Sequence, residues 1–172
     1  MAKLGAWVLH EACRAASSWP DDISVAVNLS PQQFSGDVVA VVEAALAASS
    51  LAPHRLELEV TESLIVADEA NARLQLETLK ALGVRLVMDD FGTGYSNLSN
   101  LWRFPFDKLK VDRSFFSSLG IAQDVGEILR TIGAMGGAMQ LTVVAEGIER
   151  EEQRQFASSS GYHELQGFLF AR

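Results

Sequence analysis

From one end of the chain to the other, short β-branched runs alternate with longer amphipathic ones. "DISVAVNLS", "HRLELEVTES", "VRLVMDD", "FDKLKVD", "TVVAEG" and "HELQGFLF" each read as a strand. "LGAWVLHEACRAASSW" reads as a helix before the first of them. "DVVAVVEAALAAS", "EANARLQLETLKALG", "SNLSNLWRF", "DVGEILRTIGAMGGAMQ" and "REEQRQFASSSG" fill the intervals as helices; Gly83 closes one and Pro105 stops another. Strands that return through helices lie parallel with both faces covered, so about six of them in this order predict an α/β fold. Two architectures fit, a doubly wound sheet and a (β/α) barrel. No glycine-rich turn lies between an early strand and its helix, so the phosphate cradle of a dinucleotide-binding sheet is absent. The polar residues favour the barrel. Asn28, Glu59 with Glu62, Asp89 with Asp90, Lys110 with Asp112, and Glu146 all fall at or just past a strand end, and barrel strand ends converge on one mouth. About six strands fall two short of the eight that usually close such a barrel.

With 172 residues, 48% of them hydrophobic and 21% charged, the chain has the length and composition of one globular domain with a substantial core. No low-complexity linker interrupts residues 1–172. The single cysteine, Cys13, has no partner for a disulfide and falls in an alanine-rich helical stretch, as a small core residue of a protein in a reducing compartment does. No apolar run is long enough to span a bilayer, and the start lacks a signal-peptide layout. The expectation is a cytoplasmic domain, or the cytoplasmic part of a larger membrane-anchored protein, with no membrane contact by this segment. A net charge of −8 repels nucleic-acid backbones and argues against binding a nucleic-acid polymer. A small anionic ligand is still admissible where a local site recruits cations.

"VMDDFG" ends an apolar run in two adjacent carboxylates, which repel each other and are costly to bury. A single acid at a strand end, Glu62 or Asp112 for example, reads as a helix cap. Successive strand ends carrying Asn, Glu, Asp-Asp, Lys and Glu go beyond capping, which favours Ser, Thr, Asp and Asn. If these groups meet, one lysine is too little to neutralise them, and hard divalent cations held by oxygen donors, Mg²⁺ or Mn²⁺, are the natural remedy. Zinc is disfavoured, because His10, His54 and His163 stand apart without ligand spacing. A pair of such ions, bridged by Asp89 or Asp90, would activate water and clamp the oxygens of an in-line phosphoryl displacement. "DFG" and "GTG" lack the other parts of any kinase or P-loop site. Gly133, Gly136 and Gly137 read as a close helix contact, Trp7, Trp19 and Trp102 as core or interface aromatics, and "REEQRQ" as a solvated helical face.

"VAVNLS", "LELEVTES", "MDDFGTGYSNLSNL", "LKVD", "VVAEGIE" and "LQGFLF" occur in the order found in EAL-domain cyclic di-GMP phosphodiesterases, and the chain resembles that family over essentially its whole length. The resemblance implies a modified TIM (β/α) barrel that hydrolyses cyclic di-GMP to linear pGpG in bacterial second-messenger signalling, with two Mg²⁺ or Mn²⁺ ions per intact site. Asn28, Glu59 and Asp89 match metal-ligand positions, and Asp90 a second acid of the cluster. Lys110 matches the lysine that orients the attacking water, Glu146 a catalytic-site glutamate acting as ligand or base, and Gln166 a glutamine near metals and substrate. Glu62 and Glu149 match acids that support the loop after the aspartates. That loop begins Phe91, Gly92, Thr93, Gly94 and resembles the element coupling dimer contacts to metal binding. A homodimer and neighbouring sensory or cyclase domains are thereby implied.

The Glu-Ala-Leu signature that names the family is absent, since Glu43-Ala44-Ala45 lies on a helix. The expectation is therefore a partial EAL domain over residues 1–172, missing N-terminal strands and a signature ligand, with little turnover in isolation. The alternative is a non-catalytic EAL-like receptor for cyclic di-GMP or an interaction module. Such members usually lose acids that this chain retains. An unrelated sugar-phosphate barrel would need a glycine-rich phosphate loop after the late strands, and the His-Asp type of cyclic di-GMP hydrolase would need clustered histidines; neither is present.

Overall fold

The computed structural model describes residues 2–34, 36–92, 98–121 and 124–171. Among them the strands are β1 (Val25–Asn28), β2 (Leu56–Thr61), β3 (Arg85–Phe91), β4 (Lys108–Val111), β5 (Thr142–Ala145) and β6 (Glu164–Leu165). The helices are α1 (Ala2–Ala16), α2 (Pro31–Phe34), α3 (Val38–Ser49), α4 (Glu62–Ala67), α5 (Glu69–Ala81), α6 (Leu98–Arg103), α7 (Arg113–Ser117), α8 (Val125–Ala138) and α9 (Glu151–Ser159). The strands are ordered β1-β2-β3-β4-β5-β6, and β1 with β2, β4 with β5, and β5 with β6 pair in parallel. The chain divides into two compact units, Met1–Val87 with Arg103–Pro105, and Met88–Trp102 with Phe106–Arg172.

In the first unit α1 packs on α3 and β1, and α3 on α5. Leu9 and Cys13 of α1, Val42 and Ala45 of α3, and Leu76 and Leu79 of α5 are fully buried there. β2 reads Leu-Glu-Leu-Glu-Val-Thr, so Leu56, Leu58 and Val60 lie on one face, and Glu57 and Glu59 on the other. Both glutamates are nonetheless buried, and Arg85 stands 3.5 Å from Glu57. Arg55 is buried as well. It donates to the carbonyls of Ala16, Trp19, Pro20 and Ile23, and so closes the end of α1 and the turn beyond it.

The second unit repeats this two-faced pattern. Leu109 of β4 pairs in register with Val143 of β5, and α8 covers that face. A Cβ on Gly136 would fall 2.1 Å from Val143 Cγ2, and one on Gly133 1.9 Å from the Ser160 carbonyl. These glycines make the close helix contact expected of them, whereas Gly137 meets nothing within 4 Å. Lys108 and Lys110 occupy the opposite face of β4, in register with Thr142 and Val144.

Two expectations need correction. The last strand is Glu164–Leu165 rather than the whole of residues 163–170, because the chain leaves the ladder to wrap the backbone of Ile148. The Gln166 carbonyl accepts from Ile148 N–H at 3.0 Å, and Leu169 N–H donates to the Ile148 carbonyl at 2.9 Å. Trp7, Trp19 and Trp102 are 60%, 41% and 69% exposed, so of the two readings, core or interface, the core one does not hold. Large amphipathic rings tolerate such positions, and aromatic content alone does not signal burial. No helix among the described residues is long and apolar enough to cross a membrane.

Candidate functional site

Each unit brings part of the expected constellation together. In the first, Asn28 and Glu59 are register partners at the ends of β1 and β2, and Leu29 N–H donates to the Glu59 carbonyl at 2.9 Å. Side chains in register on a sheet share a face, so the amide and the carboxylate are neighbours. Asn28 is exposed and Glu59 buried. Glu62 opens α4 in a half-buried position.

The second unit gathers Asp89, Asp90, Lys110 and Glu146. β3 delivers Asp89 buried at its end, and β4 delivers Lys110 buried beside it. The Lys110 ammonium lies 3.0 Å from Asp89 Oδ1 and 2.8 Å from Glu146 Oε1. Asp89 Oδ1 is within ion-pair distance of that ammonium, and no hydrogen bond satisfies this buried oxygen among the described residues. One oxygen from each of Asp89, Asp90 and Glu146 lies within 4.8 Å of the others. Asp90 turns into the left-handed region at φ 55°, a conformation that strains most non-glycine residues but that Asp tolerates. Desolvation, then the Asp89 and Asp112 carboxylates, push its pKa above the ordinary value, with Lys110 partly opposing them.

A buried carboxylate oxygen with unsatisfied lone pairs, inside an all-oxygen donor set of excess negative charge, is what a hard divalent cation satisfies. The residues fit such an ion. Asp112 has a second duty, since its Oδ1 caps α7 by accepting Ser114 N–H at 2.9 Å. Capping and an electrostatic effect on Asp90 thus coincide in one residue.

The remaining expected residues enter differently. Gln166 is exposed, and its main chain is what touches the site: its N–H donates to the Ala145 carbonyl at 2.9 Å, just before Glu146. Glu149 is exposed, with its N–H on Gln153 Oε1. Phe91 is buried and its carbonyl accepts from Asp112 N–H, while Gly92 abuts the Phe115 ring. Thr93 and Gly94 lie outside the described residues. Sequence reasoning passed over Lys108, buried and paired with Glu164 at 2.8 Å. The two-residue spacing in "KLK", which puts Lys108 on the face of Lys110, was the signal available.

A model of the EAL domain matches residues 1–172. The chain belongs to the EAL-domain family. This EAL domain is 44% identical to the bifunctional diguanylate cyclase/cyclic di-GMP phosphodiesterase MucR of Pseudomonas aeruginosa, over 100% of the present chain and 26% of that protein. Among solved structures, the PaMucR phosphodiesterase in complex with c-di-GMP is 44% identical with a TM-score of 0.93, over 99% of this chain and 71% of that one. BlrP1 of Klebsiella pneumoniae, in a manganese and cyclic di-GMP complex, is 33% identical with a TM-score of 0.91, over 99% of this chain and 44% of that one. These likenesses show the TIM-barrel-like fold of EAL structures. The chain spans 20% to 28% of the length of the curated relatives it matches.

Proposed function

We propose that this EAL domain hydrolyses cyclic di-GMP to linear pGpG, with Mg²⁺ or Mn²⁺ held by Asp89, Asp90 and Glu146. The observation that carries the reading is the acid cluster closed around Lys110, which carries ligands and a hydrogen-bond donor together. Asn28 and Glu59 are further oxygen donors of the kind a hard cation takes, and two ions per site is the stoichiometry we infer. Divalent ions supply Lewis-acid polarisation of a phosphoryl group and lower the pKa of water. The chain's own residues account for the rest. Lys110, 3.0 Å from Asp89 and 2.8 Å from Glu146, donates a hydrogen bond that orients the attacking water. Glu146 is the acceptor for its proton. The new bond joins water oxygen to phosphorus, the P–O3′ ester bond breaks, and the 3′ oxygen leaves and takes a proton from solvent water as the ring opens, while Glu146 gives the proton it accepted back to solvent. Gln166 contacts substrate near this centre, and Glu149 supports the loop beyond Asp90.

The names of MucR and of the BlrP1 complex support the ligand and a divalent ion. The same reading has a homodimer, flanking sensory or cyclase domains and a cytoplasmic setting, where this second messenger acts. Incubation with cyclic di-GMP and Mn²⁺, followed by chromatography for pGpG, tests it. Turnover at any rate that falls by about a hundredfold or more in Asp89→Asn and Glu146→Gln is the expected result. Binding of cyclic di-GMP in Ca²⁺ without turnover in saturating Mn²⁺ would replace the enzyme with the receptor.

A further inference from the structure

Within the second unit, the sheet face that carries Lys110 carries another ion pair one step nearer the strand starts. Lys108 and Lys110 are both buried on β4. Lys108 Nζ lies 2.8 Å from each oxygen of Glu164. Lys108 is in register with Thr142, and Glu164 with Val144, so the pair reaches from β4 over β5 to β6. β6 has only two residues and two register pairs, a short ladder to hold a strand by itself.

Immediately after β6, the main chain grips the segment bearing Glu146. Gln166 N–H donates to the Ala145 carbonyl at 2.9 Å, on one side of Glu146. The Gln166 carbonyl accepts Ile148 N–H at 3.0 Å, on the other side. A Cβ on Gly167 would lie 2.2 Å from Ile148 O and 2.3 Å from Ile148 N, so the two backbones touch with no room between them. Any drift of β6 is therefore passed to Ile148 and, through it, to Glu146.

We propose that Lys108 and Glu164 are positioning residues: their ion pair pins β6 so that the main chain of Gln166 and Gly167 holds Glu146 against Lys110. The inference rests on the reading of Glu146 as a site carboxylate. A surface ion pair would do little of this kind. Here the lysine side chain is 10% and the glutamate 48% exposed, and the pair adds to the bonds that flank β6, His163 N–H to the Val143 carbonyl at 2.8 Å and Val143 N–H to His163 Nδ1 at 3.0 Å.

Glu164→Gln keeps the shape and removes the charge; Lys108→Met removes the other partner; the exchanged pair Lys108→Glu with Glu164→Lys restores both. In metal-free protein, amide hydrogen exchange at Ile148 and Gln166 is expected to speed up on the order of tenfold in either single variant, with α8 and α9 amides unchanged. The apparent Mn²⁺ dissociation constant is expected to rise roughly ten- to hundredfold, as for losses of groups that orient ligands, and the exchanged pair is expected to recover part of it. Unchanged exchange at Ile148 and Gln166 in Glu164→Gln, or an equal acceleration throughout the unit, overturns the proposal. If the unaltered chain neither binds Mn²⁺ nor hydrolyses cyclic di-GMP, the phosphodiesterase reading fails, and the exchange measurement still decides the role of the pair.

Discussion

Asp90 shows how one residue can oppose the fold that contains it. Its carboxyl has a raised pKa, so the folded chain favours the protonated form more than the unfolded chain does. By linkage, the stability it contributes is fully present below the ordinary aspartate pKa and is lost as pH rises through the raised folded value. In EDTA, Asp90→Asn is expected to raise the thermal midpoint at neutral pH and to flatten its fall between acid and neutral pH. With Mn²⁺ present the order reverses, because the native residue then holds an ion. Lys110 has the opposite character. Its ammonium and the Asp89 carboxylate are both about nine-tenths buried, with side chains 10% and 11% exposed. Lys110→Met leaves Asp89 without that cation, and removing one partner of a buried pair costs roughly 3–5 kcal/mol, readable in urea unfolding of the metal-free protein. At this scale Asp89, Asp90, Lys110 and Glu146 were legible from strand-end position alone. For Lys108 the spacing in "KLK" gave its face but not its role, because a lysine at a strand start resembles any solvated charge until its partner, 56 residues away, is known.

At the scale of elements, helix α8 and the turn after α1 carry the clearest consequences. Alanine at Gly133 would place its methyl against a backbone carbonyl that cannot swing aside, so overpacking there should cost about 1–3 kcal/mol or more. Alanine at Gly137, where nothing lies within 4 Å, should be neutral or stabilising by up to roughly 1 kcal/mol. Opposite shifts of the two denaturation midpoints would verify the contact. In the first unit, Arg55→Met keeps bulk but withdraws the guanidinium donors from four carbonyls, of which those of Ala16 and Pro20 keep the N–H groups of Trp19 and Ile23. Each carbonyl left unsatisfied costs on the order of 1 kcal/mol, so a loss of a few kcal/mol is expected, with exchange protection failing first at the end of α1. The six strand segments were legible as alternating or β-branched runs. The short helices α2, α4 and α7 were not, since one or two turns leave too little periodicity to read. The length of β6 was misjudged for a related reason. "HELQGFLF" has strand composition, but its hydrogen bonds go to Ile148.

For the molecule as a whole, net charge −8 and a cluster of acids make the metal-free state carry repulsion that a bound cation relieves. Mn²⁺ at a hundredfold excess over Kd should stabilise the protein by about 2.7 kcal/mol through linkage, and Asp89→Asn should abolish the gain. Scanning calorimetry with Mn²⁺ and with EDTA checks it. What the amino-acid order determined by itself is local: which segments alternate, which end in acids or amides, and hence the parallel α/β class and the oxygen-rich character of the centre. Periodicities of two and 3.6 residues depend only on near neighbours in the chain. Tertiary structure decided which distant groups meet. It placed Lys110 between Asp89 and Glu146, paired Lys108 with Glu164, left Trp7 in solvent and closed Gln166 over Ile148. Those outcomes depend on burial and hydrogen-bond satisfaction among residues far apart in sequence, which no local pattern encodes.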